Sequence, residues 1–285
     1  MKISQLSLFL LSVFILLGAS LSAQVNEAEI NSNSSEFKLK ISAEMGFLAV
    51  LSHKIQLSNS GTEIDYVEDG GQSNLLPFRR FSLEAQFNPK NSIVLLYQPI
   101  RIETQSLLKR DLVIDDLLFP QGTGVDFLYN FPFYRISYLR EFLSENNKYS
   151  LAAGVSLQAR NATITFASQD GLRFRRNSDV GPVPALKLRT RAMLGDKTFV
   201  ELEADGIYAP ISYLNGSTNE IVGAILDASI RTGYQLRPSL DSYFNLRYIG
   251  GGAVGTSSDL TGPGDGYVRN WLHFMTVSCG FTYEF

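Results

Sequence analysis

The chain is 285 residues long, with 45 % hydrophobic, 12 % aromatic and 19 % charged residues, 23 glycines and a net charge of −3. That balance excludes a disordered chain and a coiled coil, and near-neutrality excludes a general nucleic-acid binder. The one cysteine, Cys279, cannot close an internal disulfide, and its surroundings lack metal-ligand spacing, so neither a metal nor a cofactor is expected.

Residues 1–23 read as a secretion signal: Lys2, an apolar run over 6–17, then Gly18, Ala19, Ser20, Leu21, Ser22 and Ala23 as a small-residue cleavage site. The run is too short to cross a bilayer as a helix, and no later segment offers about 18 uninterrupted apolar residues. A polar segment, 24–36, is expected to remain in the periplasm. From Phe37 the pattern has period two: Phe37, Leu39, Ile41, Ala43, Met45 and Phe47 alternate with Lys38, Lys40, Ser42, Glu44 and Gly46. Strands of this kind are predicted near 37–51, 79–88, 92–106, 123–140, 147–166, 182–194, 198–209, 219–236, 240–251 and 268–285. The third is the least regular, because Val94, Leu95 and Leu96 break its phase. Short polar turns at 88–91, 141–146, 195–197 and 237–239 alternate with longer loops at 52–78, 107–122, 167–181, 210–218 and 252–267. A meander with one tight end and one elaborated end gives this order. The expected fold is all-β: an up-and-down antiparallel transmembrane β-barrel over 37–285 with ten strands, eight and twelve being the neighbouring counts.

If the apolar faces meet lipid, the others fill the interior. Lys187, Arg189 and Arg191 share one strand face, and Glu201, Glu203 and Asp205 share another. A two-residue turn would mix apolar and charged faces. A three-residue turn of Gly195, Asp196 and Lys197 sets Arg191 opposite Glu201, Arg189 opposite Glu203 and Lys187 opposite Asp205. Asp227, Arg231 and Arg247 extend this ion-pair network, with Glu44, Glu84, Arg135 and Arg160 also pointing inward. Glu103 and Arg101 join them if the third strand keeps its phase. Ten strands lie near the size at which side chains fill a barrel, so a plugged lumen is expected.

Strands of more than ten residues exceed the usual length and suffice to cross a bilayer when tilted. The chain ends with Phe281, Tyr283 and a terminal Phe285 at alternate positions. This ending, with the signal and the alternation, resembles the bacterial outer-membrane β-barrel proteins. The resemblance implies that Phe281, Tyr283 and Phe285 are an assembly signal read by the barrel-assembly machinery. It also implies a Gram-negative cell envelope, the cell outer membrane with both termini periplasmic, and membrane lipids and lipopolysaccharide as partners, with no nucleic acid. Ten strands is the size of omptin-type and Opc-type barrels, but the acidic–histidine motifs of the omptins have no match.

Specific chemistry is then expected on the loops. His53 with Asp115 or Asp116 is the one catalytic assembly that can be defended. Arg173, Arg175 and Arg176 around Phe174 suit lipopolysaccharide phosphates. The apolar loop 107–122 is expected to form a short helix over the barrel mouth. Asp259 and Asp265 among Gly262, Gly264 and Gly266 lack the ordered spacing of a calcium loop. The expected role is non-enzymatic, structural or surface-interacting through the loops. The alternatives are an enzyme acting on lipid or peptide at the rim and a narrow, porin-like solute channel.

Overall fold

The computed structural model describes residues 37–145, 148–210, 220–256 and 264–285. The expected signal over 1–23, the 24–36 segment, and Asp259 and Gly262 of the glycine-rich loop lie outside the described residues. The strands are β1 (Lys38–Leu57), β2 (Ile64–Asp65), β3 (Leu75–Asn88), β4 (Asn91–Gln98), β5 (Arg101–Leu107), β6 (Leu112–Ile114), β7 (Leu117–Phe119) and β8 (Gly124–Asn130). They continue with β9 (Phe133–Glu145), β10 (Tyr149–Ser168), β11 (Phe174–Met193), β12 (Thr198–Pro210), β13 (Glu220–Arg237), β14 (Leu240–Thr256) and β15 (Tyr267–Glu284). β1, β3, β4, β9, β10, β11, β12, β13, β14 and β15 pair in that order, and β15 pairs back to β1, so ten antiparallel strands close a barrel, while among the described residues β8 continues the wall beyond β9 and β5, paired with β8, ends the path of paired strands.

Alternation explains the closure. Met45 (72 % exposed), Phe47, Leu186, Phe244 and Phe281 point outward, while Glu44, Asp205, Asp227 and Arg247 are buried inside. Apolar-out and charged-in is the reverse of a soluble protein. At the tight-turn end, Phe281, Tyr283 and Phe285 are outward and exposed, and Phe285 N–H bonds Leu39 O (2.9 Å).

The third and fourth strands differ from the expected continuous segments. Each breaks in two at a proline: Pro99 and Ile100 separate β4 from β5, and Phe131 and Pro132 separate β8 from β9. Proline cannot donate to the ladder, so both strands of this hairpin bend at one level. Ile100 and Ile102 point inward, and Arg101 and Glu103 therefore face out and pair with each other, correcting their expected inward placement. The first strand also runs past its expected end at 51 to Leu57. A bulge between Val50 and Ser52 switches its faces, so that His53, Ile55 and Leu57 point in and Lys54 points out. Loop 107–122 is not a helix. Leu112, Val113 and Ile114 pair with Phe119, Leu118 and Leu117 as a small hairpin. Asp115 turns it at φ 56°, a left-handed conformation that Asp tolerates.

Candidate functional site

The tight-turn half of the lumen is a network of charges. Leu194 N–H bonds Thr198 O (2.8 Å) across the turn of Gly195, Asp196 and Lys197. The register then sets Lys187 opposite Asp205, Arg189 opposite Glu203 and Arg191 opposite Glu201. The contacts spread beyond these rungs. Lys187 Nζ lies 2.8 Å from Asp205 and 3.3 Å from Glu203. Arg189 instead crosses the lumen and donates two 2.7 Å hydrogen bonds to Glu84. Arg191 is 3.9 Å from Glu201 but 2.8 Å from Asp241. Arg231 reaches Glu201 at 3.0 Å. Asp227 accepts from Arg80 (3.1 Å), Arg135 (3.0 Å) and Arg247. Arg160 lies on β10, and its backbone pairs with Phe133.

Arg80 was not among the expected network members, yet it shares parity with Ser82 and Glu84, so alternation alone could have found it. Asp241 stands beside a turn, where parity is a weaker guide.

The loop half of the lumen has a different filling. Ile55, Leu57, Ile64, Tyr66, Phe119, Phe127, Phe166 and Phe274 form an apolar core continuous with Leu112 and Ile114 of the β6–β7 hairpin. His53 is at its centre and 0 % exposed. Its ring stacks on Tyr66 at 4.2 Å and meets Tyr129 edge-on at 4.3 Å. Nδ1 is 2.8 Å from Gln72 Oε1. The segment carrying Tyr66 and Gln72 folds back into the mouth, where Tyr66 N–H bonds His53 O (3.0 Å).

The structure does not bring His53 together with Asp115 or Asp116. Asp115 N–H bonds Leu57 O (3.3 Å), four residues farther along β1, and its carboxylate is 4.0 Å from Arg175. Arg175 also pairs with Asp116, and Arg173 Nε bonds Leu118 O (2.9 Å). Two of the three loop arginines thus clamp the hairpin, whereas Arg176 bonds Ser178 Oγ (2.9 Å). Burial pushes the Asp115 carboxyl above its usual range against the pull of Arg175, while hydrogen bonding from Arg175 lowers exposed Asp116. Arg110 ties the first loop to the hairpin stem, donating to Asp69 at 2.9 and 2.7 Å and to Glu63 O at 2.9 Å.

On the outer wall, Trp271 stacks on His273 with ring centroids 6.5 Å apart, and His273 Nδ1 is 2.6 Å from Tyr248 Oη. No cluster of three metal-ligating side chains occurs among the described residues. The arrangement can therefore close a barrel, hold its loops over the mouth and present outer and loop surfaces. It buries His53 away from solvent, with Gln72 as the hydrogen-bond partner of Nδ1.

No protein-family model matches the chain, and no curated protein matches it. Among solved structures, it is similar to the outer membrane protein OprG from Pseudomonas aeruginosa, at 12 % identity and TM-score 0.34, covering 88 % of this chain and 97 % of that one. It is similar to the transport unit of the autotransporter AIDA-I from Escherichia coli, at 11 % identity and TM-score 0.40, covering 94 % and 97 %. Ail, the attachment invasion locus protein of Yersinia pestis, matches at 13 % identity and TM-score 0.31, covering 87 % and 99 %.

Proposed function

We propose that this chain is a non-enzymatic outer-membrane β-barrel protein that acts through its loop-end surface, with a lumen closed to solutes. The observation that carries this reading is the double filling of the barrel. A cross-linked charge layer occupies one half, and an aromatic core sealed by the β6–β7 hairpin occupies the other. The outward apolar face and aromatic positions fit a bilayer belt. In this reading the loop end is extracellular, both termini are periplasmic, and Phe281, Tyr283 and Phe285 direct assembly. Arg176 and exposed Phe174 remain at the loop surface for lipopolysaccharide, while Arg173 and Arg175 support the hairpin.

An enzyme at the rim is disfavoured by the burial of His53. The test uses barrel in vesicles, incubated with phospholipid, lipopolysaccharide and a mixed peptide substrate. The expected result is no turnover from wild type or His53→Ala. Turnover by wild type that His53→Ala abolishes would replace this reading with the enzymatic one.

A further inference from the structure

The bulge at Leu51 builds a feature on the outer wall that the lumen does not use. Beyond it, β1 presents Ser52, Lys54 and Gln56 outward, opposite His273, Trp271 and Arg269 of β15. Lys54 and Arg269 are thus diagonal neighbours across one strand pair, the separation at which long side chains reach a common partner. They flank a shallow groove of about 280 Å³ lined by Ser52, Lys54, Ile55, Glu63, Arg269, Trp271 and His273. Glu63 bridges them, 3.3 Å from Lys54 and 3.2 Å from Arg269. Among the residues lining the groove one carboxylate faces two cations, and Asp65, opposite Lys54 across the β1–β2 pair, directs its Oδ1 to the Val67 and Glu68 amides. The cations stay open to the outside, with side-chain exposures of 47 % and 52 %.

We propose that this groove binds the phosphate of a membrane lipid. Chemistry and position agree. Two convergent cations suit a phosphate, arginine by its fork and lysine as a point charge. One more monoanion balances the charges that line the groove. Trp271, His273 and Tyr248 stand on the same face just toward the tight-turn end, and amphipathic rings favour the headgroup level. Below them the outward residues are apolar: Leu51, Met275, Phe47, Val277 and Met45. A phosphate held by Lys54 and Arg269 would place its acyl chains along that lane. A soluble anion would make no use of it. This inference rests on the membrane-barrel reading above. It assigns a site distinct from Arg173, Arg175 and Arg176.

The test inserts wild type, Lys54→Ala/Arg269→Ala and Arg173→Ala/Arg175→Ala/Arg176→Ala into vesicles of digalactosyldiacylglycerol, a neutral lipid without phosphate. Each vesicle set carries a minor amount of lipid A or its dephosphorylated form. Retained lipid is counted by native mass spectrometry after extraction. Wild type should retain phosphorylated lipid about tenfold more than the Lys54/Arg269 variant, on the scale of losing two charge-assisted contacts. The dephosphorylated lipid should show no difference, Glu63→Gln should raise retention, and Lys54→Arg should preserve it. Equal retention by wild type and the Lys54/Arg269 variant overturns the proposal, as does loss only in the triple-arginine variant. Displacement of the lipid by millimolar inorganic phosphate overturns the lipid assignment in favour of a free anion. Failure of wild type to insert, read as absent heat-modifiable gel mobility, is a failure of the membrane-barrel reading instead.

Discussion

Asp227 is the residue on which the lumen depends most. Its carboxylate faces Arg80, Arg135 and Arg247, all buried, and it is the shared acceptor of the three. Removing one partner from an enclosed charge network leaves uncompensated charge, which costs about 3–5 kcal/mol. Asp227→Ala should therefore lower barrel stability by that order, measured as the urea midpoint of unfolding from lipid vesicles. An unchanged midpoint would mean that water, not Asp227, solvates these arginines. Glu203→Lys should act in the same direction, since it places a cation opposite Arg189 and beside Lys187. The residue scale also gives a pH response at the loops. Burial pushes the Asp69 carboxyl up, but hydrogen bonds from Arg110 and from the Asp65 amide outweigh it and hold the group below its usual value. A lowered folded value means that the tie stabilises fully above the ordinary carboxylate pKa and is lost as pH falls through the folded one. Proteolysis within the first loop should therefore be flat from neutral pH down to about pH 4 and rise below it. In Arg110→Ala the loop should already be cut faster at neutral pH, with a weaker acid response.

At the scale of elements, the bulge and the two hairpin bends decide what each half of the barrel contains. Deleting both Leu51 and Ser52 would join inward-facing Val50 directly to His53, with alternation uninterrupted along β1. It would turn His53 outward and Lys54 into the aromatic core, where an unpaired ammonium is costly. The deletion variant should keep its lower ladder but lose the protected loop end, seen as rapid proteolysis near 58–74 with a retained membrane-embedded fragment. Equal protection in the variant would contradict the role given to the bulge. These elements also mark where the sequence was legible. The period of two along β10 through β15 carried strand count, facing and the three-residue turn, because charged and apolar residues fall on opposite faces there. The bulge was not legible, since Val50 and Leu51 are both apolar and either phase fits them. The phase of β4 was hidden for the same reason by Val94, Leu95 and Leu96, and that hid the outward aim of Arg101 and Glu103. The aromatic core was missed because the inward face changes from small and polar to apolar partway up β10. Gln158 is succeeded by Ala162, Ile164 and Phe166, with Thr163 and Thr165 between them. His53 was visible as a candidate, but its partners Tyr66 and Gln72 come from a loop without periodicity.

At the scale of the whole molecule, two fillings lie in series along the lumen that we propose is closed. The charge network spans the lumen from β3 to β11 through Glu84 and Arg189, and from β9 to β13 through Arg135 and Asp227. Above it, the β6–β7 hairpin and Tyr66 seat apolar side chains in the mouth. An ion would have to displace paired charges and then cross an apolar layer, and each step carries a desolvation cost. Single-channel recording of purified wild-type protein in planar bilayers is the most direct measurement of this arrangement. The expected record shows inserted protein without resolved, stable conductance steps. A large and steady single-channel conductance would contradict the closed lumen and make solute passage the barrel's function.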